Sequence, residues 1–187
     1  AKQLVENDRV DLLVGVINSQ ECYAVAPYVQ TAQIPWLVTG QCGNSDLTLN
    51  PKYASPYLTR WTYSAAEQVD PAADWAYKTG YHSVDLVTLD YIGGLQVGDF
   101  FGSAFVRQGG TIVQELHPPG NTADWGPYIS QLDPSADAIA VFATGTDGLR
   151  FVDAYSLYAQ QAKPVLDLST GISTGSNIAQ LKEKALG

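Results

Sequence analysis

Ser19 is the side chain whose setting most invites chemistry. It follows the apolar run 10–17 and precedes a helical pattern over 23–33, so it stands where a strand's carboxyl end opens onto a helix N-terminus. Free backbone N–H groups and a positive dipole end collect at such a point and favour a carboxylate or another small polar solute. Two compatible roles suit a serine there, an N-cap and a hydroxyl contact to a ligand, because a capping residue faces the same crevice. The role of nucleophile does not suit it. No Gly-x-Ser-x-Gly elbow surrounds Ser19, and the only histidines are His82, ahead of a strand, and His117, in the turn-like HPPGNT. Neither is placed to act as its base, so no catalytic residue is assigned and an enzyme is not expected. No His, Cys or carboxylate cluster has metal-ligand spacing, and Gly93-Gly94 belongs to neither phosphate-loop signature, so no metal and no cofactor are expected.

The elements around Ser19 must supply its partners. A second apolar run, 34–38, ends in Gly40-Gln41-Cys42-Gly43, and the two polar tips side by side would cradle a small polar solute. The second half repeats this arrangement. Asp90-Tyr91-Ile92-Gly93-Gly94 follows the strand VDLVTL as a tight turn, leaving Tyr91 either at the crevice or as a plain surface tyrosine. Thr144 and Gly145 follow ADAIAVF, with Asp147 as a capping, dipole-compensating residue at the next helix start. Ser169-Thr170 close the following strand. Small, hydroxyl-bearing strand ends describe a binding cleft. Cys22 and Cys42, the only cysteines, lie in the two loop-to-helix regions; they could pair in an exported protein or stay as buried thiols in a cytosolic one. Trp36, Trp61, Trp75 and Trp125 are expected mostly in cores or inter-lobe packing, with one lining the cleft.

The chain has 187 residues, 45% of them hydrophobic, enough for one large domain or two small ones with real cores. Its net charge of −9, with only 10 Lys and Arg, excludes a nucleic-acid surface and docking on anionic lipid. No apolar run approaches the roughly 20 residues of a membrane span, so direct membrane insertion is not expected. Strand-type runs near 10–17, 34–38, 56–61, 84–89, 111–115, 136–142 and 165–168 alternate with helical patterns over 67–80, 95–109 and 146–161. The last four runs begin about 27 residues apart, the length of a strand plus a crossover helix. The strands are nearly continuous apolar runs, as in parallel sheets covered on both faces, which predicts a doubly wound α/β architecture. The polar stretch 39–56 interrupts the rhythm, and a boundary is expected near 60–63: residues 1–60 form part of one lobe and 61–187 most of a second. The chain opens and closes inside helical patterns and contains no methionine, which reads as an internal piece of a longer protein.

The stretches AKQLVENDRVDLLVGVINSQ, IPWLVTG, NSDLT, YLTRWTYSAAEQ and VDLVTLDYIGG, in that order and spacing, make the chain resemble the type I periplasmic solute-binding proteins, specifically the branched-chain amino-acid-binding (Leu/Ile/Val-binding) family of ABC importers. The resemblance covers essentially the whole chain. It implies two α/β lobes joined by a hinge and closing on a solute, with the first lobe lacking its N-terminal strand and helix. It implies a precursor with a signal peptide, a periplasmic or lipid-anchored location outside the cytoplasmic membrane, and a membrane permease as partner. The positions matching the family's ligand contacts are Ser19, Gln20, Gln41, Cys42 and Gly43 in the first lobe and Tyr91, Thr144, Gly145 and Thr170 in the second. Where amino-acid binders of the family place a carboxylate for the ligand ammonium, this chain has Ser169-Thr170, and the loop after Ile34-Pro35 runs one residue longer than usual. The implied solute is a small carboxylate-type molecule: an amino acid, an aromatic or keto acid, or an amide. The alternative on the same fold is a ligand-sensing regulator or receptor domain.

Overall fold

The computed structural model describes residues 1–169 and 171–185. Contacts divide the chain into two compact units, Ala1–Gln68 and Val69–Gly187. The division falls inside a helix, later than the 60–63 expected from composition.

In the first unit, α1 (Lys2–Glu6), β1 (Leu13–Val14), α2 (Ser19–Ala32), β2 (Trp36–Val38), α3 (Asp46–Leu49) and β3 (Leu58–Arg60) build a parallel sheet of order β1-β2-β3. The strands are shorter than their apolar runs. β1 has a neighbour only on its β2 side, and Leu13 is buried while Val14 is exposed, so pairing extends over two positions. Cys22, Ala26 and Val29 on one face of α2 pack with Trp36, Val38, Cys42 and Leu47 in the core. The Trp36 indole N–H is satisfied by the Gly15 carbonyl. The 39–56 stretch contains α3, a short helix that the sequence pattern does not reveal.

The helix α4 (Ala65–Thr79) follows. Its first turn carries a capping box: the Ser64 N–H donates to Glu67 Oε2 at 2.7 Å, and the Glu67 N–H returns to Ser64 Oγ at 3.4 Å. The Ser64 N–H and the Ser64 hydroxyl (2.8 Å), both donating to Oε2, hold the Glu67 carboxyl below its ordinary range.

The second unit continues with β4 (Ser83–Thr88), α5 (Ile92–Arg107), β5 (Thr111–Leu116), α6 (Gly126–Ile129), β6 (Ala138–Phe142), α7 (Thr146–Tyr158), β7 (Val165–Asp167) and α8 (Gly175–Leu181). All pairings are parallel, in the order β5-β4-β6-β7. The chain leaves β4 towards β5 on one side and later leaves β6 towards β7 on the other. Right-handed crossovers then place α5 and α7 on opposite faces, and the carboxyl ends of β4 and β6 form the switch point where such sheets bind ligands. The connection after β5 departs from expectation: it is the loop 117–125 and the short α6, anchored by the buried Trp125, rather than a full crossover helix. Trp36 and Trp125 are core residues, but Trp61 is 74% exposed and Trp75 55% exposed, so half the tryptophans lie outside the expected packing role.

A carboxyl group sits inside the second sheet. Asp85 in β4 is fully buried; its Oδ2 accepts the Asp133 N–H at 2.8 Å and its Oδ1 has no hydrogen-bond partner among the described residues. Burial pushes its carboxyl above the usual range, against the opposing pull of the Asp133 N–H and of Lys163. A carboxyl raised on folding contributes stability below its unfolded value and loses that contribution as pH rises through the folded one. Asp85→Asn, which keeps an acceptor for the Asp133 N–H, is therefore expected to raise the urea midpoint at pH 7 and to leave it little changed near pH 3. An equal shift at both pH values would contradict this.

Candidate functional site

The first unit assembles its polar site around one loop. Ser19 is the first residue of α2 and is buried, and Asn18 stands at the N-cap position with extended backbone. The expected capping role of Ser19 is thus corrected. Its side chain is free to leave its own helix, and its Oγ accepts the Gly43 N–H at 3.0 Å. Asn18 makes no side-chain cap bond and instead donates to Glu21 Oε1 at 3.3 Å, so the first N–H groups of α2 are not capped by the residue at the N-cap position. With its lone pair engaged by Gly43, the Ser19 hydroxyl retains its hydrogen to donate, which suits an anion.

The loop carrying Gly43 is held from three sides. The Asn44 N–H donates to the Tyr23 hydroxyl at 3.1 Å, and that hydroxyl donates to Asp46. The Arg60 guanidinium donates to the carbonyls of Cys42 (2.7 Å), Asn44 (2.9 Å) and Gly43 (3.4 Å). Cys42 and Cys22, both fully buried, are joined as a disulfide, with Cα atoms 5.9 Å apart, inside the usual range of roughly 4.4–6.8 Å. Gly43 has φ +64°, and a Cβ there would lie 2.8 Å from the Tyr23 hydroxyl. At Gly40 a Cβ would lie 2.5 Å from the Val16 carbonyl oxygen and 2.6 Å from Ile17 Cα, so only glycine lets this loop lie against the end of β1. Of the expected residues, Ser19, Cys42 and Gly43 are brought together, Gln41 is half-buried in the same loop, and Gln20 is exposed beside Ser19.

The second unit gathers its own candidates at the switch point. Tyr91 precedes α5, and its ring is 6.2 Å from that of Phe142. Burial is the main cause of the raised pKa of the Tyr91 phenol, so at neutral pH it is a donor. Thr144 and Gly145 are exposed, and Gly145 has φ +57° at the start of α7. Asp147 does not cap that helix. It is buried, and its Oδ2 accepts the Asn121 N–H at 2.8 Å, tying the loop after β5 to α7. Thr170 lies outside the described residues.

Two features are absent from the sequence reading. Arg60 is recognisable only as a lone cation at a strand's carboxyl end in a chain poor in cations. The other is Asp167, the last residue of β7, a carboxylate at the strand end where hydroxyls alone were expected. Its Oδ1 accepts from Ser169 N–H (2.9 Å) and its Oδ2 from Ser173 N–H (2.9 Å) and Ile172 N–H (3.2 Å). The Ser169 and Ser173 hydroxyls lie 2.7 Å from Oδ1 and Oδ2 respectively. Three N–H groups and the Ser173 hydroxyl fill the roughly four lone-pair sites of a carboxylate, so Asp167 braces residues 169, 172 and 173 and has little left for a ligand cation.

Parallel α/β sheets whose carboxyl ends carry a hydroxyl and backbone cradle have the chemistry to hold a small polar solute. The chain belongs to the periplasmic binding protein family, whose model matches residues 1–187. It is similar to the Leu/Ile/Val-binding protein homolog 6 of Brucella melitensis, 27% identical over 190 residues, covering all of this chain and 47% of that relative. Among solved structures it is similar to an ABC transporter substrate-binding protein from Sphaerobacter thermophilus: TM-score 0.86, 35% identity, all of this chain and 51% of the other. A solute-binding protein of an ABC transporter from R. palustris, solved with 4-hydroxybenzoate, gives a TM-score of 0.82 at 26% identity over 96% of this chain and 48% of the other. The chain therefore spans about half the length of these relatives. No helix among the described residues is long and apolar enough to cross a membrane.

Proposed function

We propose that this chain is part of the solute-binding component of an ABC importer, acting outside the cytoplasmic membrane, and that its solute is a small carboxylate without an α-amino group, of the benzoate class. The observation that carries the reading is the Ser19 hydroxyl, which accepts the Gly43 N–H and so keeps its own hydrogen for donation at the start of α2. A carboxylate is the ligand chemistry that such donors favour. The occupied carboxylate of Asp167 argues against an ammonium-bearing ligand at that strand end. The Tyr91–Thr144 pair offers hydroxyls suited to a phenol or a carbonyl. Trp61 supports an aromatic solute: it is exposed at the carboxyl end of β3, where its backbone N–H donates to the Val38 carbonyl at 3.0 Å. The likeness to a 4-hydroxybenzoate-bound protein points the same way. Delivery to a permease follows from the family.

A thermal-shift panel on the full-length protein tests this, because a ligand that binds only the folded state raises the unfolding temperature. Benzoate and its hydroxy derivatives are expected to raise it, and branched-chain amino acids to leave it unmoved. The reverse pattern would assign the protein to amino acids.

A further inference from the structure

Arg60 has an unusual position for a cation beside the first-unit site. Its donors go to backbone carbonyls, and no carboxylate lies within ion-pair distance of it among the described residues. Tyr23, Glu67 and Asp46 act on it only across longer gaps. The peptide between Cys42 and Gly43 is therefore held at both ends. Its carbonyl accepts from Arg60 at 2.7 Å, and its N–H donates to Ser19 Oγ at 3.0 Å. The next peptide is held alike, its carbonyl 3.4 Å from Arg60 and its N–H 3.1 Å from the Tyr23 hydroxyl. A positive charge at the carbonyl end of a peptide draws electron density away from its N–H, and each bond in such a chain strengthens the next. The last link here is the Ser19 hydroxyl.

We propose that Arg60 is the positioning residue of this site: acting through the Cys42–Gly43 peptide, it polarises the Ser19 hydroxyl, and so sets the preference for a carboxylate over a neutral amide without touching the ligand. The inference rests on the carboxylate-binding reading given above. It assigns the anion preference to a side chain one peptide unit removed from the contact.

The test compares benzoate with benzamide, two probes of nearly the same shape and different charge, titrated against the full-length protein. Wild type is expected to favour benzoate. Arg60→Met is expected to cut the benzoate-to-benzamide affinity ratio by about tenfold, on the scale by which a charge-assisted hydrogen bond exceeds a neutral one. Arg60→Lys, which restores the charge, is expected to recover most of it. A purely structural arginine would lower both affinities by the same factor and leave the ratio unchanged, and that result overturns the proposal. If Arg60→Met does not fold, a cycle of Arg60→Gln with Ser19→Ala decides. The relay requires that the glutamine change lower the ratio when Ser19 is present and not when it is absent; an equal effect in both backgrounds overturns the proposal. If wild type binds neither probe nor any other carboxylate, the carboxylate-binding reading itself fails and takes the relay with it. Wild-type binding of benzoate with an unchanged ratio in the variants leaves that reading standing and removes only the role of Arg60.

Discussion

Ser19→Ala is expected to weaken benzoate-class binding by about 30-fold, roughly 2 kcal/mol, the scale of a hydrogen bond to a charged group. The substitution removes two things together. The ligand loses a donor, and the Gly43 N–H loses the acceptor it reaches at 3.0 Å in a buried setting. The second loss bears on the free protein too, so the unfolding temperature should fall modestly alongside the affinity. Calorimetric titration beside a thermal melt separates the two. An alanine variant that melts lower yet binds as tightly as wild type would show that Ser19 only braces the loop.

Opening the Cys22–Cys42 bridge has the larger expected effect on stability. The bridge closes a sequence separation of 20. Loop-closure entropy for a link of that span corresponds to about 3 kcal/mol, drawn from the unfolded state. The unfolding midpoint of the first unit in urea should drop accordingly with reductant or in the Cys22→Ala, Cys42→Ala double variant. Because the bridge ties the first turn of α2 to the loop that carries Gly43, carboxylate affinity should drop with it. Thiol labelling of the oxidised native protein is expected to find no free cysteine. Two reactive thiols under denaturing, non-reducing conditions, with midpoints unmoved by reductant, would contradict the bridge.

The α/β alternation was legible from the chain because β6 is buried throughout and β4 from Val84 to Thr88, and buried parallel strands are written mostly in apolar residues. Boundaries were legible less well. Residues 10–17 are apolar over most of their length, but only Leu13 and Val14 pair, since pairing depends on the neighbouring strand and not on hydropathy. The role of Ser19 was half visible: its place at a strand-to-helix junction is local, but its release from capping depends on Asn18 standing at the N-cap position. Arg60 was legible as a position but not in its role, because its partners are carbonyls 16 to 18 residues earlier and every residue type carries the same carbonyl. Asp167 was passed over for a similar reason. It ends an apolar run, and its engagement with the N–H groups of 169, 172 and 173 is a fold of the loop that spacing alone does not announce.

The central claim is that this protein receives a carboxylate that carries no amine. Isothermal titration of the full-length protein with 4-hydroxybenzoate and with leucine, side by side in one buffer, tests it most directly. The account predicts saturable binding of 4-hydroxybenzoate at one site per protein and no measurable heat of binding for leucine. Tight binding of leucine with no binding of 4-hydroxybenzoate would contradict it.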